Sequence, residues 1–295
     1  MEELSEIFEK IFIEKSCLYI VSTPIGNLND ISLRCIKTLQ EVDCILCEDT
    51  RITKKLLSKF NIKNNSLLSY NDFNAKLKRP FIINNLLKKN FNYAIVSDAG
   101  TPLISDPGYK LVKDCFKNNI KVTHIPGPTS VITGLILSGL PTNNFMFCGF
   151  FEKNLGKRKI QLLKHKLIDV TTIWFESCNR IIETLNLILD IFGNRNLAIL
   201  RELTKLNEDI INGKVYEVLQ SIKTKSNLRG EIVIVISGYE KNRFNETELK
   251  KLILKHNPDK STKDLSIYLS DKTGLPRNFI YNEILKFRKN KNENL

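Results

Sequence analysis

The apolar run Asn92-Tyr93-Ala94-Ile95-Val96 empties into Ser97-Asp98-Ala99-Gly100-Thr101-Pro102-Leu103-Ile104-Ser105-Asp106-Pro107-Gly108, a stretch holding two Gly, two Pro and two Asp. A strand feeding a loop of this composition restricts the chain to folds that carry ligands on strand ends. Gly100 and Gly108 permit left-handed backbone or close approach, Pro102 and Pro107 fix φ, and the two Asp offer acceptors to hydroxyls or amines. Two more loops repeat the arrangement. Residues 18–22 run into Thr23-Pro24-Ile25-Gly26-Asn27-Leu28-Asn29-Asp30, and residues 122–125 run into Pro126-Gly127-Pro128-Thr129-Ser130. In an open parallel sheet such strand ends line one edge, where ligands bind. Thr101, Ser130 and the N–H groups of the following helix starts suit a carboxylate or phosphate. The first loop is neither G-x-G-x-x-G nor a P-loop, so dinucleotides and nucleoside triphosphates lose their usual support.

The hydrophobic periodicity predicts an α/β chain. In the first half it gives helix 31–41, strand 43–47, helices 52–60 and 79–89, strand 92–96, helix 109–118 and strand 121–125. The second half reads as helix 130–138, strand 144–148, helix 157–166, strand 171–175, helix 180–192, strand 197–201, helix 215–222 and strand 231–237. After Gly238 comes a helical tail over 246–256, a second helix opened by the capping box Ser261-Thr262-Lys263-Asp264, and a third over 277–288 beyond the breaker Gly274-Leu275-Pro276. That is the outline of a helix-turn-helix.

At 295 residues two domains are expected, each large enough for its own core. The formal charge of +13 points to nucleic acid, although 34 Lys against 11 Arg and 31 Asn is also the bias of AT-rich coding. Position favours the first reading, because residues 241–295 hold 13 Lys/Arg against 7 Asp/Glu. No apolar stretch reaches the roughly 20 residues of a membrane helix. The acidic start, with Ile7, Phe8, Ile11 and Phe12, suits a short amphipathic helix rather than a signal peptide, so a cytoplasmic protein is expected. Seven scattered cysteines show no framework spacing. Cys44 and Cys47 sit in an apolar run without a second pair or a nearby His, and read as buried thiols rather than metal ligands.

Thr23 to Leu28, Glu48-Asp49-Thr50-Arg51, Ser97 to Gly108, Pro126-Gly127-Pro128, Phe175-Glu176-Ser177, Arg180, Arg201 to Lys205 and Arg229-Gly230-Glu231 together resemble the tetrapyrrole methylase superfamily, and within it the branch acting on ribosomal RNA. The resemblance covers roughly residues 17–238. It implies two α/β domains with a donor cleft between them and a small C-terminal helical domain. The divisions are a 1–15 extension, domains 16–125 and 126–240, and a basic RNA-binding tail 241–295. It further implies S-adenosylmethionine as donor, the 2′-hydroxyl of a cytidine in the decoding region of 16S ribosomal RNA as acceptor, and a homodimer.

Carried over residue by residue, donor contacts are expected at Pro24, Gly26, Asp98, Gly100, Thr101, Ser105, Asp106, Thr129 and Ser130. Arg51, Arg180 and Arg201 are expected to grip RNA phosphate, as are Lys272, Arg277, Lys286, Arg288 and Lys289 of the tail. Pairing of Arg51 with Asp49, Arg180 with Glu176 or Arg201 with Glu202 is the structural alternative; Lys205 with Glu208 is a further candidate pair. Lys205 can act as base if burial lowers its pKa, and Glu176 can accept a proton. The chain departs from the family where histidines are usual: it has Tyr70-Asn71-Asp72-Phe73-Asn74, and Asn179 after Cys178. Asn can keep a hydrogen bond that neutral His makes. The competing readings are a tetrapyrrole C-methyltransferase and a non-catalytic nucleic-acid-binding protein. The first has against it a loop of Pro-Ile-Gly-Asn-Leu where those enzymes are Gly-rich.

Overall fold

The run Cys17-Leu18-Tyr19-Ile20-Val21 is apolar along its whole length, the composition of a strand covered on both faces. It forms β1 (Cys17–Val21) in a computed structural model that describes residues 12–63, 66–88, 90–225, 229–240, 246–256, 261–273, 275 and 277–292. Most of the predicted N-terminal amphipathic segment therefore lies outside the described residues. The chain continues through α1 (Leu33–Glu41), β2 (Cys44–Cys47), α2 (Thr50–Lys59), β3 (Ser66–Ser69), α3 (Ala75–Lys88), β4 (Tyr93–Ile95), α4 (Tyr109–Lys117) and β5 (Lys121–Ile125). These strands make one parallel sheet in the order β3-β2-β4-β1-β5. Because β4, β1 and β5 are neighbours running in one direction, the three Gly/Pro loops that follow them emerge side by side at one sheet edge.

The chain then forms α5 (Ser130–Leu137), β6 (Phe145–Phe150), α6 (Leu155–His165), β7 (Thr171–Ser177), α7 (Ile181–Phe192), β8 (Asn196–Arg201), β9 (Asp209–Lys214), α8 (Val215–Thr224) and β10 (Glu231–Ile236). The second sheet has the order β6-β7-β10-β8-β9 and is mixed: β6 and β7 are parallel, every other pair antiparallel. Its core is anchored by Trp174, fully buried and stacked on Phe151 at 4.4 Å between ring centroids. Gly134 in α5 allows close approach to this sheet, since a Cβ there would stand 2.9 Å from Val233 Cγ1. Cys44 and Cys47 are buried, and burial pushes the Cys44 thiol up to about 11.

Two strands were not predicted, β3 and β9, and both are sheet edges. A half-solvated edge needs no continuous apolar run, so Ser66-Leu67-Leu68-Ser69 and Asp209-Ile210-Ile211-Asn212-Gly213-Lys214 carry weak strand signals. Helix α3 begins at Ala75 rather than residue 79 and carries Pro80 inside it. Asn71 and Asn74 hold its start, each side-chain oxygen accepting the other's backbone N–H at 3.2 and 3.0 Å. Those positions, where relatives are expected to carry His, are thus occupied by a local cap.

Residues 165–170 and 238–295 group as a second compact unit. Within it α9 (Glu246–His256), α10 (Thr262–Thr273) and α11 (Arg277–Asn292) enclose Leu249, Ile253, Leu265, Leu269, Ile280 and Ile284. Ser261 caps α10, accepting the Asp264 N–H at 3.1 Å. Of the predicted breaker, Gly274 and Pro276 lie outside the described residues. No described helix is long and apolar enough to cross a membrane.

Candidate active site

The three loops are pinned to one another. Thr23 and Gly100 exchange backbone hydrogen bonds at 2.9 and 3.1 Å. Thr101 Oγ1 lies 3.0 Å from Ser22 Oγ and donates to the Pro128 carbonyl at 3.0 Å. The middle loop is held in unusual backbone: Gly100, Leu103, Ser105 and Gly108 all have positive φ. Gly108 is required twice over, by its φ of 132° and because a Cβ would stand 2.9 Å from Ile95 Cδ1 and Leu103 Cδ1. Leu103 and Ser105 carry side chains in a conformation that costs on the order of 1 kcal/mol each, a concentration of strain typical of a ligand loop.

Above these loops opens a cavity of about 330 Å³. Gly100, Thr101, Ser105, Asp106, Thr129 and Ser130 line it from the first sheet's side, and Phe150, Phe175, Glu176, Leu203 and Glu231 from the second's. Six of the nine predicted donor contacts therefore converge here. Pro24, Gly26 and Asp98 do not; they line an adjacent cavity of about 360 Å³, together with Lys205. The reason is that Ile25, one residue between Pro24 and Gly26, forms the ridge between the two spaces. Ile25, Ala99 and Glu231 are common to both. Size, aromatic walls and convergent hydroxyls fit a small-molecule donor in the first cavity. Burial pushes the Asp106 carboxyl up to about 6, and a cationic ligand would draw out its charge.

Against the first loop sits the turn after β8, in which Glu202 and Thr204 also have positive φ. Thr204 Oγ1 accepts the Asn27 N–H at 3.0 Å, and Thr204 N–H donates to Glu208 Oε2 at 2.7 Å. Gly26 is needed for this contact, since a Cβ would meet Lys205 Cγ at 2.5 Å and the Leu203 carbonyl oxygen at 2.8 Å. The turn delivers Lys205 Nζ to Glu202 Oε1 at 2.9 Å and Glu231 Oε2 at 3.3 Å, not to Glu208. Desolvation pulls the ammonium's pKa down, but the Glu202 hydrogen bond and the charges of Glu231 and Glu202 outweigh it, and the net shift is upward. This direction is opposite to the lowering that a Lys205 base would require.

Glu176 is likewise committed. Its side chain is fully buried; Oε1 accepts from Ser177 N–H at 2.7 Å and from two Arg180 nitrogens, Nε at 2.9 Å, and Oε2 accepts from Thr184 Oγ1 at 2.6 Å. With both oxygens engaged it is a structural anchor under the cleft rather than a ready proton acceptor. Arg180 is thereby turned inward. Arg201 pairs with Asp209 at 3.7 Å across the β8/β9 register, not with Glu202, and donates to the Arg229 carbonyl at 3.1 Å. Arg201 ends β8, while Glu202 already lies in the turn with positive φ and is held by Lys205 and the Glu231 N–H. Arg51 forks onto Asp49, whose carboxyl this hydrogen bonding lowers to about 2, yet the Arg51 side chain stays 85% exposed.

In the tail, Arg277 and Lys289 are exposed, Lys286 pairs with Glu283 at 2.7 Å, and Arg288 donates to Thr262 Oγ1 at 2.6 Å. Lys272 lies in α10; the placement of its side chain is outside the described structure. Glu231 is the residue missed as a site group, although Arg229-Gly230-Glu231 was a visible motif. Phe150 carried no local signal.

Two half-buried carboxyls beside the middle loop, Glu48 and Asp106, give a pH dependence. Burial, followed by the charges of Asp106, Asp98 and Asp72, pushes Glu48 up to about 7, and its Oε1 is buried without a hydrogen-bond partner among the described residues. Glu48 and Asp106 thus bind protons more tightly folded than unfolded. Their contribution to stability is full below the unfolded carboxylate range and is lost as pH rises through about 6 to 7. We expect urea midpoints to fall between pH 5 and pH 8, and Glu48→Gln to flatten the upper part of that decline; parallel curves would remove Glu48 as the cause.

Residues 17–219 match the family model described as tetrapyrrole (corrin/porphyrin) methylases. The chain is 46% identical over 239 residues to ribosomal RNA small subunit methyltransferase I of Rickettsia prowazekii, spanning 81% of this chain and 84% of that protein. To the protein of the same name from Thermotoga maritima it is 48% identical over 224 residues, spanning 76% of this chain and 99% of the relative. Among solved structures, the cobalamin biosynthetic enzyme cobalt precorrin-4 methyltransferase superposes with a TM-score of 0.56 at 17% identity, over 75% of this chain and 95% of that one, a likeness of fold.

Proposed function

The chain belongs to the tetrapyrrole methylase family, and from that premise we propose that it methylates the ribose 2′-hydroxyl of a cytidine in the decoding region of 16S ribosomal RNA, with S-adenosylmethionine as donor. The observation carrying this reading is the 46% and 48% identity to small-subunit ribosomal RNA methyltransferases over 81% and 76% of this chain. The tetrapyrrole alternative rests on relatives alike in fold alone. S-adenosylmethionine supplies an electrophilic methyl group on a sulfonium. The cavity lined by Gly100, Thr101, Ser105, Asp106, Thr129 and Ser130 is the place we assign to it, with Asp106 facing its positive charge.

The protein's own task is to orient one hydroxyl and manage one proton. Glu231, which lines both cavities, is assigned the proton; Lys205, held by Glu202, steadies the Glu231 carboxylate from one side. The exposed Arg51 and the tail residues Arg277 and Lys289 serve RNA phosphate in this reading, and the homodimer implied by the resemblance belongs to it. In this reading the protein works in the cytoplasm, where its ribosomal substrate is. The test is incubation with labelled donor and small ribosomal subunits lacking the modification, followed by nuclease digestion and mass spectrometry. Label on a 2′-oxygen of a decoding-region cytidine is expected; donor binding without label on the subunits would overturn the assignment of substrate.

A further inference from the structure

Helix α2 presents an unusual face to the second cavity. Ile52, Lys55, Leu56 and Lys59 follow the three-and-four spacing of one helical side, and all four line that space. Opposite them stands Leu28, from the short 3-10 turn Leu28–Asp30. Leu28 and Ile52 keep 39% and 42% of their surface exposed. Lys55 and Lys59 are exposed and make no ion pair among the described residues, unlike Arg51 one turn earlier. The lining also holds Lys205 and Glu231, and the cavity shares Ile25, Ala99 and Glu231 with the donor cavity.

Apolar walls, two unpartnered cations one helical turn apart, and an acid next to the methyl donor's place together describe a receptor for a single nucleotide in a strand. We infer that this second cavity holds the acceptor nucleotide, turned out of its RNA. The base lies against Ile52 and Leu56, the flanking phosphates lie on Lys55 and Lys59, and the ribose faces Glu231. The inference rests on the methylase reading above and adds the place where the substrate sits. Extrusion of a base from a loop or end is inexpensive compared with a full duplex, and a flat apolar wall accepts it by stacking or contact.

The experiment uses the full chain as wild type, Lys55→Glu, Lys59→Glu and the double variant, with unmodified small subunits and labelled donor. Because both side chains are exposed, melting temperatures are expected to be unchanged, and so is donor affinity. For the double variant KM for subunits is expected to rise at least about tenfold with kcat within about twofold. The slope of log KM against log salt should shrink by about 1.4, the loss of two phosphate contacts to a single strand. An active wild type whose KM and salt slope are unmoved in the double variant overturns the inference. If the wild type leaves subunits unlabelled, the substrate assignment fails separately. The cavity is then scored by titrating a fluorescent cytidine-containing oligoribonucleotide onto both proteins in the presence of S-adenosylhomocysteine: weaker binding by the double variant upholds it, and equal binding overturns it.

Discussion

Glu231→Gln is expected to lower kcat about a hundredfold, the lower range for losing a general base, with KM for RNA and donor affinity changing far less. The acid opens β10 and its side chain is 74% exposed, so it is free to reach a hydroxyl, while Lys205 Nζ holds one of its oxygens at 3.3 Å. Its neighbour Glu202 is not equivalent. Glu202 Oε1 is taken by Lys205 at 2.9 Å and by the Glu231 backbone N–H at 3.1 Å, and a Cβ on Gly230 would stand 2.3 Å from that same oxygen. Glu202 is therefore packed into the turn and anchors Lys205, while Glu231 faces the cavities. The split between kcat and KM separates chemistry from structure: a loss confined to kcat assigns Glu231 to the chemical step. An unchanged kcat would mean that the proton leaves directly to water and that Glu231 only positions Lys205.

Arg180→Ala is expected to destabilise the fold by about 3 kcal/mol, because removing one partner of a buried ion pair leaves the other charge uncompensated. The Glu176 carboxylate is fully buried, and Thr184 and the Ser177 N–H cannot replace a guanidinium that is itself only 23% exposed. Combining it with Glu176→Gln should restore much of the loss, since a neutral amide no longer needs the cation. Urea denaturation of both variants measures this. Full stability of Arg180→Ala with weakened RNA binding would return Arg180 to the role of a phosphate contact and sink the anchor assignment.

The places where reading the residues in order succeeded and failed divide along a physical line. Strand–loop–helix order was legible because apolar runs and Gly/Pro loops act on their own stretch of backbone. The edge strands β3 and β9 were not, because their faces are half wet and their pairing is set by the neighbouring strand. Among the residues expected at the donor, Gly100, Thr101, Ser105, Asp106, Thr129 and Ser130 line one cavity, whereas Pro24, Gly26 and Asp98 line the other, a division that no spacing rule encodes. The charges diverged most. Arg201 found Asp209 across the β8/β9 hairpin, and Lys205 found Glu231 of β10, 26 residues on in the chain.

By itself the sequence determined the α/β class, the three loops that gather ligands and the family they belong to, all of which depend on local backbone preference and residue type. Only the tertiary structure placed Lys205 between Glu202 and Glu231, Glu176 against Arg180 and Thr184, Glu231 in the lining of both cavities, and Lys55 and Lys59, without an ion pair among the described residues, in the lining of one. Protonation and pairing depend on burial and on distances between side chains, and neither is set until the strands of the second sheet and their turns have come together.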